Sequence, residues 1–522
     1  MGRVLTNNTS LAVAVEDTLG EVPASGTWFL LEPNDITRIG AEVTTVARSP
    51  ISKNRQRRYG TVTDLDSAAE FEHDLTMSVF EVFAEAFAFA TAVNSDLIFR
   101  GANATDSGTG FTIPSATTAQ AAKIQYTSGG PISLVYARGY ANAANNGLHP
   151  LGADVAGSAT AIPVASLVTE TAPANAEVEI CGIRAEAGDL AVSVSAGVAT
   201  LTSGNNSASN NIDFTTLGLT VGQIIHIGGL TSANRFFGAG PVVSYGYGRI
   251  RTIAAGTLTL DKIDATLIAS DGTTTGAGGS LVPVDLLFGR FIRNVAVDDA
   301  AFLTRSFTVE VAWDNLDDVG PAAEYSYAKG NLCNEMAFNL PLTDKATITF
   351  AMVGTDTDNP TTTRATNAAT PVEPVKTGAL NTSADILRLR ITEIDETGLT
   401  TDFKDVTLTL RNNVSPEKVL GTLGARFMNT GNFEVDLEGQ ILFTNGDVID
   451  AIRANAEVTA DFIVKNADGA IAVDIPAMTL GDGSAELPVN ESVILNLTGQ
   501  AHQDTTFGTS IGISLFPVVP TA

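Results

Sequence analysis

Phe71-Glu72-His73-Asp74-Leu75 returns, nearly copied, as Phe433-Glu434-Val435-Asp436-Leu437. In both places apolar and acidic residues alternate with the two-residue period of a half-buried strand. Phe71, His73, Leu75 and Met77 take one face, and Glu70, Glu72, Asp74 and Thr76 the other. The second copy sets Phe433, Val435 and Leu437 against Glu434, Asp436, Glu438 and Gln440. Each strand leads into a helical stretch, Ser78 to Ala92 and Asp447 to Ala454, the latter after an Asn445-Gly446 turn. The first is apolar nearly all round, with Val79, Phe83, Ala86 and Ala90 on one side and Phe80, Phe87 and Val82 flanking them, so it is expected to be buried. A strand and helix used twice are the expected seed of a duplicated domain, and such a chain suits an assembly subunit better than an enzyme.

A second echo gives the layout. Leu340-Pro341-Leu342-Thr343-Asp344-Lys345, ahead of a strand at Ala346 to Val353, matches Leu487-Pro488-Val489-Asn490-Glu491-Ser492, ahead of Val493 to Gly499. The first echo recurs after about 362 positions and the second after about 147, so the first copy must hold roughly 215 extra residues. The expected division is an N-terminal arm at 1–35, held only by the apolar knot Trp28 to Leu31, and a first copy at 36–95 and 285–354. An inserted β-rich domain follows at 96–284, a Pro- and Thr-rich linker at 355–384, and a second copy at 385–522. The insertion reads as loosely built over 101–175. It then shows sharper strands at Glu177 to Ile183, Leu190 to Thr202, Gln223 to Ile227, Tyr247 to Ile253 and Thr257 to Leu260, as a small all-β domain would. The fold class is therefore mainly β: two tandem β-sandwich domains, each with a flanking α-helix, and the inserted domain.

The chain of 522 residues carries 30 Lys and Arg against 58 Asp and Glu, a formal net charge of -28. So acidic a surface repels nucleic acid, whose binding rests on cations neutralising phosphate. The one basic cluster, Lys53, Arg55, Arg57 and Arg58 with Tyr59 after it, lies between strands at Ile36 to Arg48 and Thr61 to Thr63. A basic tongue on an acidic body is matched electrostatically to another copy of that body. Cys181 and Cys333 stand in no ligand spacing and read as buried thiols of a protein made in reducing cytosol. The four histidines are ungrouped, so no metal site is expected, and His73 reads as a core residue. Asp356-Thr357-Asp358-Asn359 lacks the later ligands of a calcium loop. Gly238-Ala239-Gly240 and Gly276-Ala277-Gly278-Gly279 read as turns outside any phosphate-binding context. Neither cofactor nor catalytic residues are expected, and no apolar run is long enough to cross a bilayer.

The hairpin with its basic loop at Arg48 to Thr63, the acidic strand and helix at Glu70 to Ala92 and the stretch Leu286-Leu287-Phe288-Gly289-Arg290-Phe291-Ile292-Arg293-Asn294 carry a resemblance. Together with the Leu-Pro strands and the closing Ile511 to Pro517 stretch, they resemble the major tail tube proteins of long-tailed bacteriophages. The resemblance implies a structural virion protein, assembled in the host cytoplasm and not an enzyme. Its subunits would join sheets into rings, which stack into a tube for genome ejection. Six tube domains per ring would mean a homotrimer of this duplicated chain, a pseudo-hexameric ring. Other partners would be tape measure, tail tip and terminator proteins, with DNA passing unbound through the lumen and no membrane contact. Glu70, Glu72, Asp74, Glu434, Asp436 and Glu438 become candidates to line the lumen, and Lys53, Arg55, Arg57, Arg58 and Tyr59 to bridge rings. An adhesin or capsid decoration protein is the alternative reading.

Overall fold

Period-two alternation becomes strand along most of the chain, and the architecture is mainly β. The computed structural model describes residues 6–520 apart from 25, 52, 54–55, 106–109, 129, 205–210, 238–241, 271–280, 315–322, 366–370, 375, 394–397, 401 and 488; the side chains of 393, 398 and 400 are also left aside. Arg55, Pro488 and the glycine turns at 238–240 and 276–279 thus lie outside the described residues. Two compact units emerge: Met1–Ala90 with Phe302–Pro374 and Lys404–Gln440, and Thr91–Ala301 with Val375–Phe403 and Ile441–Ala522.

In the first unit, antiparallel neighbours follow the order Phe29–Leu31, Thr9–Val15, Ser306–Trp313, Glu324–Leu340, Thr347–Gly354, Arg58–Asp74, Asp35–Arg48. Two expectations need correction. The N-terminal residues are more than an arm held at Trp28: Thr9–Val15 is a sheet strand whose Leu11 and Val13 are buried. The run Leu-Ala-Val-Ala-Val has enough apolar, β-favouring surface to be paired on both edges. Residues 58 to 74 form one strand, where the sequence suggested two short ones.

The helix Met77–Phe87 follows, shorter at its C-terminal end than expected, with the Thr76 hydroxyl accepting from Val79 N at its start. Phe80, Phe83 and Phe87 are fully buried. Phe83 meets Phe350 at 4.5 Å, Phe307 at 5.3 Å and Phe71 at 5.9 Å between ring centroids, which pins the helix to the apolar face of the sheet. His73 lies on that face, 8% exposed, with Nδ1 2.8 Å from the Asp74 carbonyl oxygen.

The second unit repeats the series as Ile386–Glu393, Glu457–Asn466, Gly469–Glu486, Ile494–Ala501. The registers coincide along most of their length; in the last ladder the bulge sits between Asp482 and Ala485, where the first copy has it between Cys333 and Glu335. Phe307 opposite Asn331 becomes Val458 opposite Met478, and Val309 opposite Ala328 becomes Ala460 opposite Ile475, with a bulge at the same place. Asn339 opposite Thr347 becomes Glu486 opposite Ile494, each 147 positions on. Leu75 donates its N–H to the Ala346 carbonyl, and Phe443 donates to Val493 in the same way. The structural counterpart of Leu75 is therefore Phe443 and that of Phe71 is Gly439, six residues beyond Phe433. The helix Asp447–Ala454 has the expected bounds, but only Val448 and Ala451 are buried.

The residues between 91 and 301 belong to this second unit. Ten of their strands form one sheet. Its Ala191–Ser195 and Val198–Thr202 hairpin turns through Ala196 and Gly197, both at positive φ, the geometry a two-residue hairpin turn requires. The stretch 101–175 is tighter than expected: Phe111, Val135 and Ile162 are fully buried in one cluster, and a short helix Thr118–Lys123 carries a capping box. Small Ala and Gly residues allow close packing there.

The same unit buries an ionic cluster. Asp461 and Asp474 face each other across two paired strands, and burial of two opposed carboxylates demands cations. Arg390 approaches Asp461 at 2.8 Å and Arg388 also pairs with it. Arg249 lies 3.0 Å from Asp474 and 2.8 Å from Asp261. Lys262 lies 3.7 Å and 3.6 Å from Asp461 and Asp474. Burial works against the Asp461 charge, but Arg388, Lys262 and Arg390 outweigh it and hold its carboxyl below the ordinary value.

Two outcomes are expected. Phe83→Ala should lower stability by about 3–5 kcal/mol in chemical denaturation, because it empties the centre of the aromatic cluster. A depressed folded-state pKa stabilises above the unfolded value and is lost as pH falls through the folded one. Wild-type stability should therefore fall as pH drops below about 5. Asp461→Asn, which strands buried cations, should cost about 3–5 kcal/mol at neutral pH and flatten that acid slope.

Candidate assembly surfaces

The polar face of the first unit is built by the same alternation that makes its core. Opposite buried Phe71, Ile348, Phe350, Phe338 and Leu408 lie half-buried Glu70, Glu72, Asp74, Thr347, Thr349, Asn339 and Thr407. The registers place Glu72 beside Thr349 and Asp74 beside Thr347, and Asn339 between Thr347 and Thr407. Asn339 Nδ2 donates to Thr349 at 3.4 Å, and the Thr407 hydroxyl donates to Asn339 at 3.5 Å. The result is a carboxylate and hydroxyl surface across successive strands.

Its cations are engaged. Lys345 Nζ lies 2.7 Å from Asp74. Partial burial works against the Asp74 charge, but hydrogen bonds from Lys345 and Asn34 hold its carboxyl below the ordinary value. Arg411 bridges Glu335 at 2.8 Å and Asp436 at 2.5 Å. Arg38 lies 3.8 Å from Glu42. Of the six predicted carboxylates, Asp74 and Asp436 are thus ion-paired, Glu70 and Glu72 are half-buried, and Glu434 and Glu438 are exposed. Glu434 and Glu438 occupy the places of Asp66 and Glu70 in the repeat. Sequence reading missed the threonines and Asn339, although their alternation with Ile348, Phe350, Phe338 and Leu408 was the available signal.

The paired strands Asp35–Arg48 and Arg58–Asp74 extend beyond the sheet from about residues 42 and 66 to the last pair, Arg48 opposite Arg58, a reach of about 20 Å. Gly60 permits this closeness, since a Cβ there would sit 2.7 Å from the Val46 carbonyl oxygen. Two arginines directly opposite one another repel. Lys53, Arg57 and Arg58 are exposed, and so are Val46, Ile51 and Tyr59, with Tyr59 94% exposed. The base of the arm is braced where Lys418 Nζ lies 2.6 Å from both Asp64 and Asp66, carboxylates that raise its pKa. Lys418 belongs to a small hairpin, Ser415–Glu417 with Phe427–Asn429, whose Leu420, Leu423 and Phe427 are exposed. No local pattern hints at that brace, which joins residues more than 350 positions apart.

Among the described residues there is no group of His, Cys, Asp and Glu that could hold a metal ion, and no helix is long and apolar enough to cross a membrane. Cys181 and Cys333 are buried free thiols. The family model described as phage tail tube protein matches residues 6–501. No curated protein sequence matches the chain.

Proposed function

Because the chain belongs to the phage tail tube protein family, a structural component of the virion tail, we propose that it forms the tube wall as rings stacked around a channel for the genome. The observation that carries this reading is the polar sheet face, where Glu70 and Glu72 stand among hydroxyls and Arg38, Lys345 and Arg411 are engaged by carboxylates. On such a wall the carboxylates compete with passing phosphate for these three cations. The wall repels DNA within about 10 Å, the screening length at moderate salt. The acidic net charge favours the same outcome.

Two copies of the strand series per chain suit three chains and six domains in a ring. The arm, with its repelling arginines and exposed Ile51 and Tyr59, suits a bridge to the next ring, whose acidic surface supplies the missing counter-charge. Other tail proteins would meet the two ends of the tube. Assembly in the host cytoplasm accords with two unpaired thiols.

Electron microscopy of the concentrated protein should show rings and tubes with a bore; a monodisperse monomer under all assembly conditions would overturn the reading. Replacing Lys53, Arg55, Arg57 and Arg58 with Ser should leave single rings that fail to stack, whereas full-length tubes would remove the arm from that role. Converting Glu70, Glu72, Glu434 and Glu438 to Gln should leave tubes that retain added DNA after washing. Unchanged release would place these carboxylates away from the bore.

A further inference from the structure

The strand Glu324–Leu340 changes partners halfway along one edge. Its first half pairs there with Ser306–Trp313; residues 335–340 pair instead with 411–406 of Phe403–Arg411. That second partner is the outer strand of the second copy's hairpin and precedes Glu434–Leu442, with which it pairs. It corresponds to Asp35–Arg48 in the first copy. The covered residues Met336, Phe338 and Leu340 are 0%, 0% and 5% exposed.

The counterparts of Phe338 and Leu340, in Gly469–Glu486 and just beyond it, are Ala485 and Leu487, which follow a bulge where Asp482 and Gly483 take positive φ. There the Glu457–Asn466 partner ends at Thr479, and among the described residues no strand continues along that edge. Leu487 is 76% exposed where its counterpart Leu340 is buried. Among the described residues Asp35–Arg48 pairs only with Arg58–Asp74, so its other edge is also open there. One chain therefore makes the contact once internally and presents both halves of it unmade.

We infer that a second copy of this chain completes it: residues 482–487 of one copy pair antiparallel with the stretch around 37–43 of the next. This rests on the tube reading and names the contact that closes its rings. The pairing satisfies the two rows of open backbone groups and covers Ala485 and Leu487 as Phe403–Arg411 covers Phe338 and Leu340. The two edges differ, so the contact is head-to-tail and propagates until rotation closes it.

The test is cross-linking of assembled protein with a short bismaleimide. Ala485→Cys combined in turn with Thr37→Cys, Ile39→Cys, Ala41→Cys or Val43→Cys should join most chains in at least one pairing, giving a ladder on denaturing gels that ends at the ring's chain number. The single variants should remain unlinked, because Cys181 and Cys333 are buried. Rings visible by microscopy without cross-links in any of the four pairings would overturn this contact and leave the tube reading standing. A chain that never assembles would overturn both.

Discussion

Backbone hydrogen bonding along strand edges is the constraint on which the rest depends. A strand in a mainly β chain must have both edges paired, covered or made unattractive to other strands. Glu324–Leu340 meets this by taking Ser306–Trp313 for half its length and Phe403–Arg411 for the remainder. Its counterpart Gly469–Glu486 follows the same register against Glu457–Asn466, bulge included, and along that edge then runs out of partners among the described residues. The contrast between buried Leu340 and exposed Leu487 follows from that difference in pairing.

Much of this was legible in the sequence because period-two alternation is a strong signal. The helix Asp447–Ala454 has the bounds its pattern suggested, and the strand expected at Ala346 to Val353 runs Thr347–Gly354. The echo at Phe71 and Phe433 revealed the duplication but misplaced its register by six residues. An alternating pattern looks the same after any even shift, so it fixes which face a residue takes without fixing its neighbour across the sheet. Glu434, Asp436 and Glu438 keep the polar face for that reason, since six is even. The Leu-Pro echo had no such freedom. Its turn ties the strand on either side, and its 147-residue spacing holds where those two strands meet, at Asn339 with Thr347 and Glu486 with Ile494.

The ionic cluster was less visible. Asp461 and Asp474 each stand alone within an apolar strand, and nothing local says that Arg249, Lys262, Arg388 and Arg390 converge on them. The repeat supplies the missing hint. The counterparts of these aspartates are Glu310 and Tyr327, also opposed, with the Tyr327 hydroxyl donating to Glu310 and Arg364 2.8 Å from it. A buried carboxylate at one register position is thus a feature of both copies, with partners recruited from whatever chain lies nearby. Lone acids in apolar strands deserve a search for distant cations.

Edge pairing and the acidic face make one joint demand, because strands added edge to edge extend the sheet and bring its polar surface along. A reconstruction of the assembled protein by electron cryo-microscopy, at a resolution that separates strands, tests this most directly. The expected result is a closed ring in which 482–487 of each copy adjoins the Asp35–Arg48 strand of the next, with Glu70, Glu72, Thr349 and Asn339 turned to the bore. A ring whose copies meet through other surfaces, or whose acidic face looks outward, would contradict it.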